Sequence, residues 1–180
     1  MRIVGGKYKG FRFTPTRSIK ARPTTDLAKE SLINILNSSI EIEGKNCLDL
    51  FCGTGNISFE FASHGAKFIT AIDISYDTIH FVKDTFKTIG FTEFDALQKN
   101  VFKWLKVSHN IKYDIIFADP PYDISNIETL PNLIFESDLI NENSLLIVEH
   151  RSNFNFSHPN LVNIRKYGQT AFSFFSGIRK

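Results

Sequence analysis

The chain has 180 residues, 42% hydrophobic and 22% charged, with a formal net charge of +2. These values suit one globular domain with a sizeable core and exclude a disordered or low-complexity chain. No apolar run is long enough for a membrane span, and Met1–Gly6 lacks the apolar stretch of a signal peptide, so a cytoplasmic protein is expected.

The N-terminal residues 1–14 alternate around Gly5, Gly6 and Gly10, with Tyr8, Phe11 and Phe13 as strand formers, which predicts a β-hairpin. A helix is expected from about Thr24, capped by Thr24 or Thr25, favoured by Asp26 at its positive end, and finished before Gly44. A regular alternation follows: a strand at 46–51, a turn at Gly53–Gly55, a helix at 57–63, and a strand at 67–72 closing on Asp73. An amphipathic helix is predicted over 78–89, a strand over 95–99, a short helix around Trp104 and a fully buried strand over 113–118. A helical stretch at 127–135, a buried strand at 144–149 and an antiparallel hairpin at 161–167 and 170–175 complete the pattern. Alternating strands and helices predict an α/β fold with a Rossmann-like, mostly parallel sheet, whose ligands bind at the carboxyl ends of the strands. The domain expectation is a single unit, with a basic arm over 1–25 and a catalytic body over 26–180.

Residues 1–25 hold seven of the 21 Lys and Arg (Arg2, Lys7, Lys9, Arg12, Arg17, Lys20 and Arg22) and no acid, while the other 14 bases share the chain with all 19 acids. Such an arm suits a polyanion, because cations that neutralise phosphates release counterions. A solvated basic hairpin without a partner has the same composition. Cys47 and Cys52 have no histidine beside them and read as small apolar residues, so neither a metal site nor a disulfide is predicted.

Two signatures fall at predicted strand ends. In Asp49-Leu50-Phe51-Cys52-Gly53-Thr54-Gly55, the glycines permit a tight turn and close approach of a ligand, but the third glycine of a dinucleotide loop is missing. Asp73, closing the next strand, suits ribose hydroxyls. Asp49 suits the cationic end of a methionine-containing ligand, and Asn100 has an amide suited to an adenine edge. Asp119-Pro120-Pro121-Tyr122 ends the fourth strand. Its prolines remove two backbone donors and fix the loop, so that the Asp119 carboxylate and Pro120 carbonyl converge as acceptors. Two acceptors gripping a planar NH₂ group orient its nitrogen toward a methyl donor. Tyr122 is suited to stack on an unpaired or flipped base. The expected chemistry is therefore S-adenosylmethionine-dependent methylation of an exocyclic base amine. Without a Pro-Cys pair, a cysteine-nucleophile mechanism is not favoured.

Weaker candidates are the Arg22–Asp26 block as a lid or substrate contact, and Glu149 and His150 at the end of the fifth strand. His64, His80, His109 and His158 read as loop or surface residues. Phe172, Phe174 and Phe175 read as core.

Taken together, Arg2-Ile3-Val4-Gly5-Gly6, Arg22-Pro23-Thr24-Thr25-Asp26, the Leu48–Gly55 loop, Asp119–Tyr122 and Tyr167-Gly168-Gln169-Thr170 resemble the RsmD family of small-subunit (16S) ribosomal RNA guanine-N2 methyltransferases. The resemblance spans nearly the whole chain. It implies a seven-stranded class I methyltransferase sheet with an N-terminal β-hairpin extension. It further implies S-adenosylmethionine as donor and guanine N2 as acceptor. Asp49, Phe51, Gly53, Gly55, Asp73 and Asn100 would line the cofactor, Asp119 through Tyr122 would hold the guanine, and Arg2, Lys7, Lys9, Arg12 and Arg22 would touch ribosomal RNA or an assembling small subunit. Cys52 departs from the alanine usual there, and the chain begins at the first hairpin strand.

The same loop chemistry would serve adenine N6 or cytosine N4 in RNA or DNA. Asp119 disfavours a protein-glutamine methyltransferase, which would have Asn. A non-catalytic RNA-binding assembly factor would be favoured by a degenerate cofactor loop, and this one is intact. A monomer is the expected state.

Overall fold

A computed structural model describes residues 1–15, 26–124 and 126–177; of Asp26 and Leu27 it describes the backbone only. Seven strands form one sheet, β1 (Asn46–Leu50), β2 (Phe68–Asp73), β3 (Phe94–Gln98), β4 (Ile115–Ala118), β5 (Leu145–Arg151), β6 (Leu161–Tyr167) and β7 (Thr170–Ser176), in the order β3-β2-β1-β4-β5-β7-β6. The first five are parallel, and β7 pairs antiparallel to both β5 and β6. This is the expected class I methyltransferase sheet, with the antiparallel tail where the sequence predicts it.

The helices are α1 (Asp26–Ser39), α2 (Asn56–Ser63), α3 (Tyr76–Ile89), α4 (Val101–Trp104) and α5 (Leu130–Phe135), the last preceded by a 3-10 turn at Ile127–Thr129. Leu32 and Leu36 of α1, Phe59 of α2 and Val82 and Phe86 of α3 pack with Cys47, Ile69, Ile115 and Ile147 on one face of the sheet. Val101, Leu130 and Ile134 of α4 and α5 pack with Leu48, Ile116 and Leu146 on the other. Alternation along each strand feeds both layers, which is why β4 is buried at every position. Serine and glycine set the ends of α3: Ser75 accepts from Thr78 N at 3.3 Å, and Gly90 stops the helix in the left-handed region. Among the described residues no helix is long and apolar enough to cross a membrane.

Several boundaries shift by a residue or two, and three differences from expectation have a clear cause. The buried strand predicted at 113–118 starts at Ile115, because Tyr113 N bonds to Leu139 O outside the sheet ladder. β5 runs two residues past Glu149, since β7 pairs with it as far as Arg151↔Thr170. The predicted N-terminal hairpin has no regular strand, only the bridge Arg2↔Arg12, although its two arms run antiparallel through Ile3 N→Phe11 O (3.0 Å) and Phe13 N→Met1 O (3.1 Å). Other backbone groups bond within its turn, Gly10 N→Ile3 O (2.9 Å) and Phe11 N→Tyr8 O (3.1 Å), while Val4 N, Lys7 N and Tyr8 N are turned to the body. The predicted caps Thr24 and Thr25 lie outside the described residues.

Residues 1–13 form a strap fastened along α2. Thr54 Oγ1 donates to Met1 Sδ at 3.4 Å, Val4 N donates to Glu60 Oε1 at 2.8 Å, Lys7 N donates to Ser63 O at 2.7 Å, and Tyr8 N donates to Ser63 Oγ at 2.9 Å. Phe13 packs edge-on against Phe59 of α2, with ring centroids 4.9 Å apart. Beneath the strap, Lys29 of α1 donates from Nζ to Arg2 O and to Asn56 Oδ1 (2.9 Å) and pairs with Glu60 at 3.0 Å. Gly6 takes φ +69° against α2, where a Cβ would sit 2.0 Å from Ser63 O.

Candidate active site

The chain leaves β1 toward β2 on one side and returns to place β4 on the other, so the carboxyl ends of β1 and β4 face a crevice. The loop after β1 and the loop after β4 are tied together there by Asp119 N→Leu50 O at 3.2 Å. A cavity of about 930 Å³ opens between them, lined by Asp49, Phe51, Gly53, Asp73 and Asn100 from one signature and by Asp119, Pro120, Pro121 and Tyr122 from the other.

Asp49 is 1% exposed, and its Oδ2 accepts from Ser58 N (3.1 Å) and Ser58 Oγ at the start of α2. Burial pushes its carboxyl up to about 7 against the pull of the Ser58 hydrogen bonds, and the charges of Asp119 and Asp73 push the same way. Asp73 holds the loop to β2 by accepting from Gly53 N (3.0 Å) and Ser75 N (2.9 Å). A carboxylate has about four acceptor positions, so both oxygens keep capacity for a ligand's hydroxyls. Phe51 is left-handed at φ 62°, a conformation that costs an ordinary residue about 1–2 kcal/mol. It meets Phe102 edge-on, centroids 6.0 Å apart, and both rings line the cavity.

Two cofactor-loop expectations change. Gly55 does not line the cavity: at φ 73° it starts α2, and a Cβ there would come within 2.8 Å of the Phe59 ring and 2.9 Å of Val82 Cγ2. The need for glycine is thus conformational and steric. Asn100 lines the cavity, but its Oδ1 accepts from Lys103 N at 3.0 Å and caps α4.

On the catalytic side, the Tyr122 hydroxyl meets Thr170 Oγ1 at 3.1 Å, and the guanidinium carbon of Arg151 stands 5.1 Å from the Tyr122 ring centroid. Neither partner follows from the motif; both come from the β5–β7 rung. The strand alternation separates Glu149 from His150. Glu149 lines the cavity, whereas His150 points into the other face, 2.7 Å from Ser173 Oγ, with burial lowering its imidazole below the usual range. That site excludes His150 from the chemistry in this cavity. Cys47 and Cys52 are free and buried. Phe172, Phe174 and Phe175 are core, and His80 is exposed.

The exposed cations Arg2, Lys7, Lys9 and Arg12 do not line the cavity. Lys7 and Lys9 lie in the turn of the strap that caps the distal end of α2, a helix about 12 Å long. Cations near a helix C-terminus also serve its dipole, with or without RNA. Arg22 lies outside the described residues.

The family model described as conserved hypothetical protein 95 matches residues 1–176. The chain belongs to this family. A member named ribosomal RNA small subunit methyltransferase D, from Buchnera aphidicola subsp. Baizongia pistaciae, is 30% identical over 172 residues, covering 94% of this chain and 87% of that protein. This is the RsmD family that the sequence blocks resemble. Among solved structures, Escherichia coli yhhF, described as a candidate methyltransferase, superposes with a TM-score of 0.85 at 25% identity, covering 98% and 97% of the two chains. The Thermus thermophilus 16S rRNA N2 G1207 methyltransferase, solved with AdoMet and guanosine, shares the fold at a TM-score of 0.66 and 15% identity, over 87% of this chain and 44% of that one.

Proposed function

We propose that this member of the RsmD family methylates the N2 amine of a guanine in small-subunit ribosomal RNA, using S-adenosylmethionine. The observation that carries the reading is that Asp119 and Pro120 share one cavity with Asp49 and Asp73. The cavity fits the donor. Asp49, whose carboxyl burial raises to about 7, matches an ammonium group in its ionised form, Asp73 matches ribose hydroxyls, and Phe51, Phe102 and the exposed Ile74 provide apolar walls. The bound donor supplies an electrophilic methyl group on a sulfonium.

The residues of the chain position the acceptor. The Asp119 carboxylate and the Pro120 carbonyl each accept one N–H of the amine, and the two prolines contribute no competing donor. Tyr122 stacks on the base. Asp119 is also the group placed to hold the proton that the amine loses. The walls exclude water and strengthen these contacts. The Buchnera relative's name supports a small-subunit ribosomal RNA substrate, and the guanosine bound to the Thermus enzyme favours guanine over adenine or cytosine. We read residues 1–180 as one catalytic unit, acting as a cytoplasmic monomer on an assembling small subunit, with Arg2, Arg12 and the other strap cations on its RNA face.

The test is nucleoside mass spectrometry of ribosomal RNA from a deletion strain complemented with the unaltered chain or with Asp119→Ala. N2-methylguanosine is expected to fall on deletion and to return only with the unaltered chain, while calorimetry shows that Asp119→Ala still binds S-adenosylmethionine. Loss of a different methylated base would refute the guanine assignment.

A further inference from the structure

At the mouth of the cavity one exposed cation stands on the catalytic tyrosine. Arg151 is the last residue of β5, with its side chain in solvent. Its rung partner across β5–β7 is Thr170, and Thr170 pairs in turn with Tyr167 of β6. The Tyr122 ring is held from this single rung, through its hydroxyl by Thr170 at 3.1 Å and over its face by the Arg151 guanidinium at 5.1 Å. Tyr122, Tyr167 and Thr170 all line the cavity.

A guanidinium is suited to two simultaneous tasks. Its flat face stacks on an aromatic ring, and its N–H groups donate in the plane toward a carboxylate or phosphate. An ammonium does one or the other. Among the described residues no carboxylate lies within ion-pair distance of Arg151, so its in-plane donors remain available. A base stacked on Tyr122 inside the cavity leaves its ribose and phosphate outward, and Arg151, exposed and outside the lining itself, contacts the tyrosine that lines it.

We propose that Arg151 positions the acceptor nucleotide, holding Tyr122 with its face and the phosphate of the flipped nucleotide with its edge. This rests on the methyltransferase reading above. The adjacent rung supplies a control: Lys166 pairs with Ala171 beside His150, and alternation sends that rung to the opposite face.

The experiment measures binding of small-subunit ribosomal RNA, free and as the assembled subunit, across a salt series for the unaltered chain, Arg151→Gln, Arg151→Lys and Lys166→Gln. Methyl-transfer kinetics and S-adenosylmethionine affinity accompany it. Arg151→Gln is expected to weaken RNA binding about tenfold, to flatten the log–log salt slope by about one, and to raise KM for RNA while leaving cofactor affinity unchanged. Arg151→Lys should keep the salt slope but lose kcat, because the charge remains and the stacked face does not. An unchanged salt slope in Arg151→Gln, or an equal loss in Lys166→Gln, would overturn the assignment, the first leaving only a structural role and the second only net charge. If the unaltered chain binds RNA but modifies adenine, the guanine reading fails while the phosphate contact stands. If it binds neither form of RNA, both fail.

Discussion

The Lys29 ammonium lies 3.0 Å from Glu60 Oε1, and neither side chain is exposed to solvent. Glu60 Oε1 also accepts from Val4 N, and Lys29 Nζ also donates to Asn56 Oδ1, which lines the cavity wall. One buried pair therefore joins α1, α2, the strap and the active-site wall. Removing one partner strands a charge, at a cost of about 3–5 kcal/mol. Lys29→Met should lower urea stability by that amount. Adding Glu60→Gln should restore part of it, because the stranded charge is then gone. A double variant as unstable as the sum of its singles would show the two residues to be uncoupled.

Asp49 is expected to make S-adenosylmethionine binding pH-dependent. Its carboxyl is raised from 3.8 to about 7, so the ligand-free fold favours the neutral form. The stabilisation of the ligand-free protein is complete at low pH and is lost as pH rises through about 7. A cationic ligand requires the ionised form. Affinity for S-adenosylmethionine should therefore rise as pH rises toward about 7, by up to about tenfold per unit. Calorimetry in buffers of different ionisation enthalpy should detect the proton released, and Asp49→Asn should flatten the profile.

The strap glycines separate steric need from conformational need. Gly6 and Gly10 both have positive φ, but a Cβ at Gly6 would meet the Ser63 carbonyl at 2.0 Å, while one at Gly10 would meet nothing within 4 Å. Gly10→Ala should cost only the left-handed penalty of about 1–2 kcal/mol. Gly6→Ala should cost clearly more and should detach the strap, which thermal denaturation and proteolysis near residues 7–12 would report.

Tyr122→Phe keeps the stacking ring and the Arg151 contact but loses the hydroxyl held by Thr170. Loss of one such hydrogen bond is worth about 1 kcal/mol, or about fivefold in kcat/KM for RNA, with cofactor affinity unchanged. Thr170→Val should have a similar effect, and the double variant should add little to either single one.

Much of the site was legible because its residues end buried strands, where an acid or a glycine breaks an apolar run. Asp49, Asp73 and Asp119 all follow that rule. Lys29 and Glu60 were not legible: a lysine and a glutamate in helices ordinarily read as surface residues, and their burial depends on a pairing across α1 and α2 with added bonds to Arg2 O and Val4 N. The end of β5 was hidden by the polar pair His150–Arg151, although pairing with β7 continues through it. Gly55 carries the cofactor pattern, yet its constraint comes from Phe59, one turn along the helix it starts, and from Val82 on α3. The basic composition of residues 1–25 was plain, but not that its turn caps the distal end of α2.

The strap has a consequence for how the chain reaches its final form. Its bonds to Thr54, Glu60 and Ser63 bridge sequence separations of 53 to 58 residues. Closing such loops costs entropy that no local turn repays, so the first dozen residues must wait for α2 to be made and seated. During synthesis these residues leave the ribosome before α2 does, and they dock late. Their attachment then reports that the helix beneath the cofactor loop is in place.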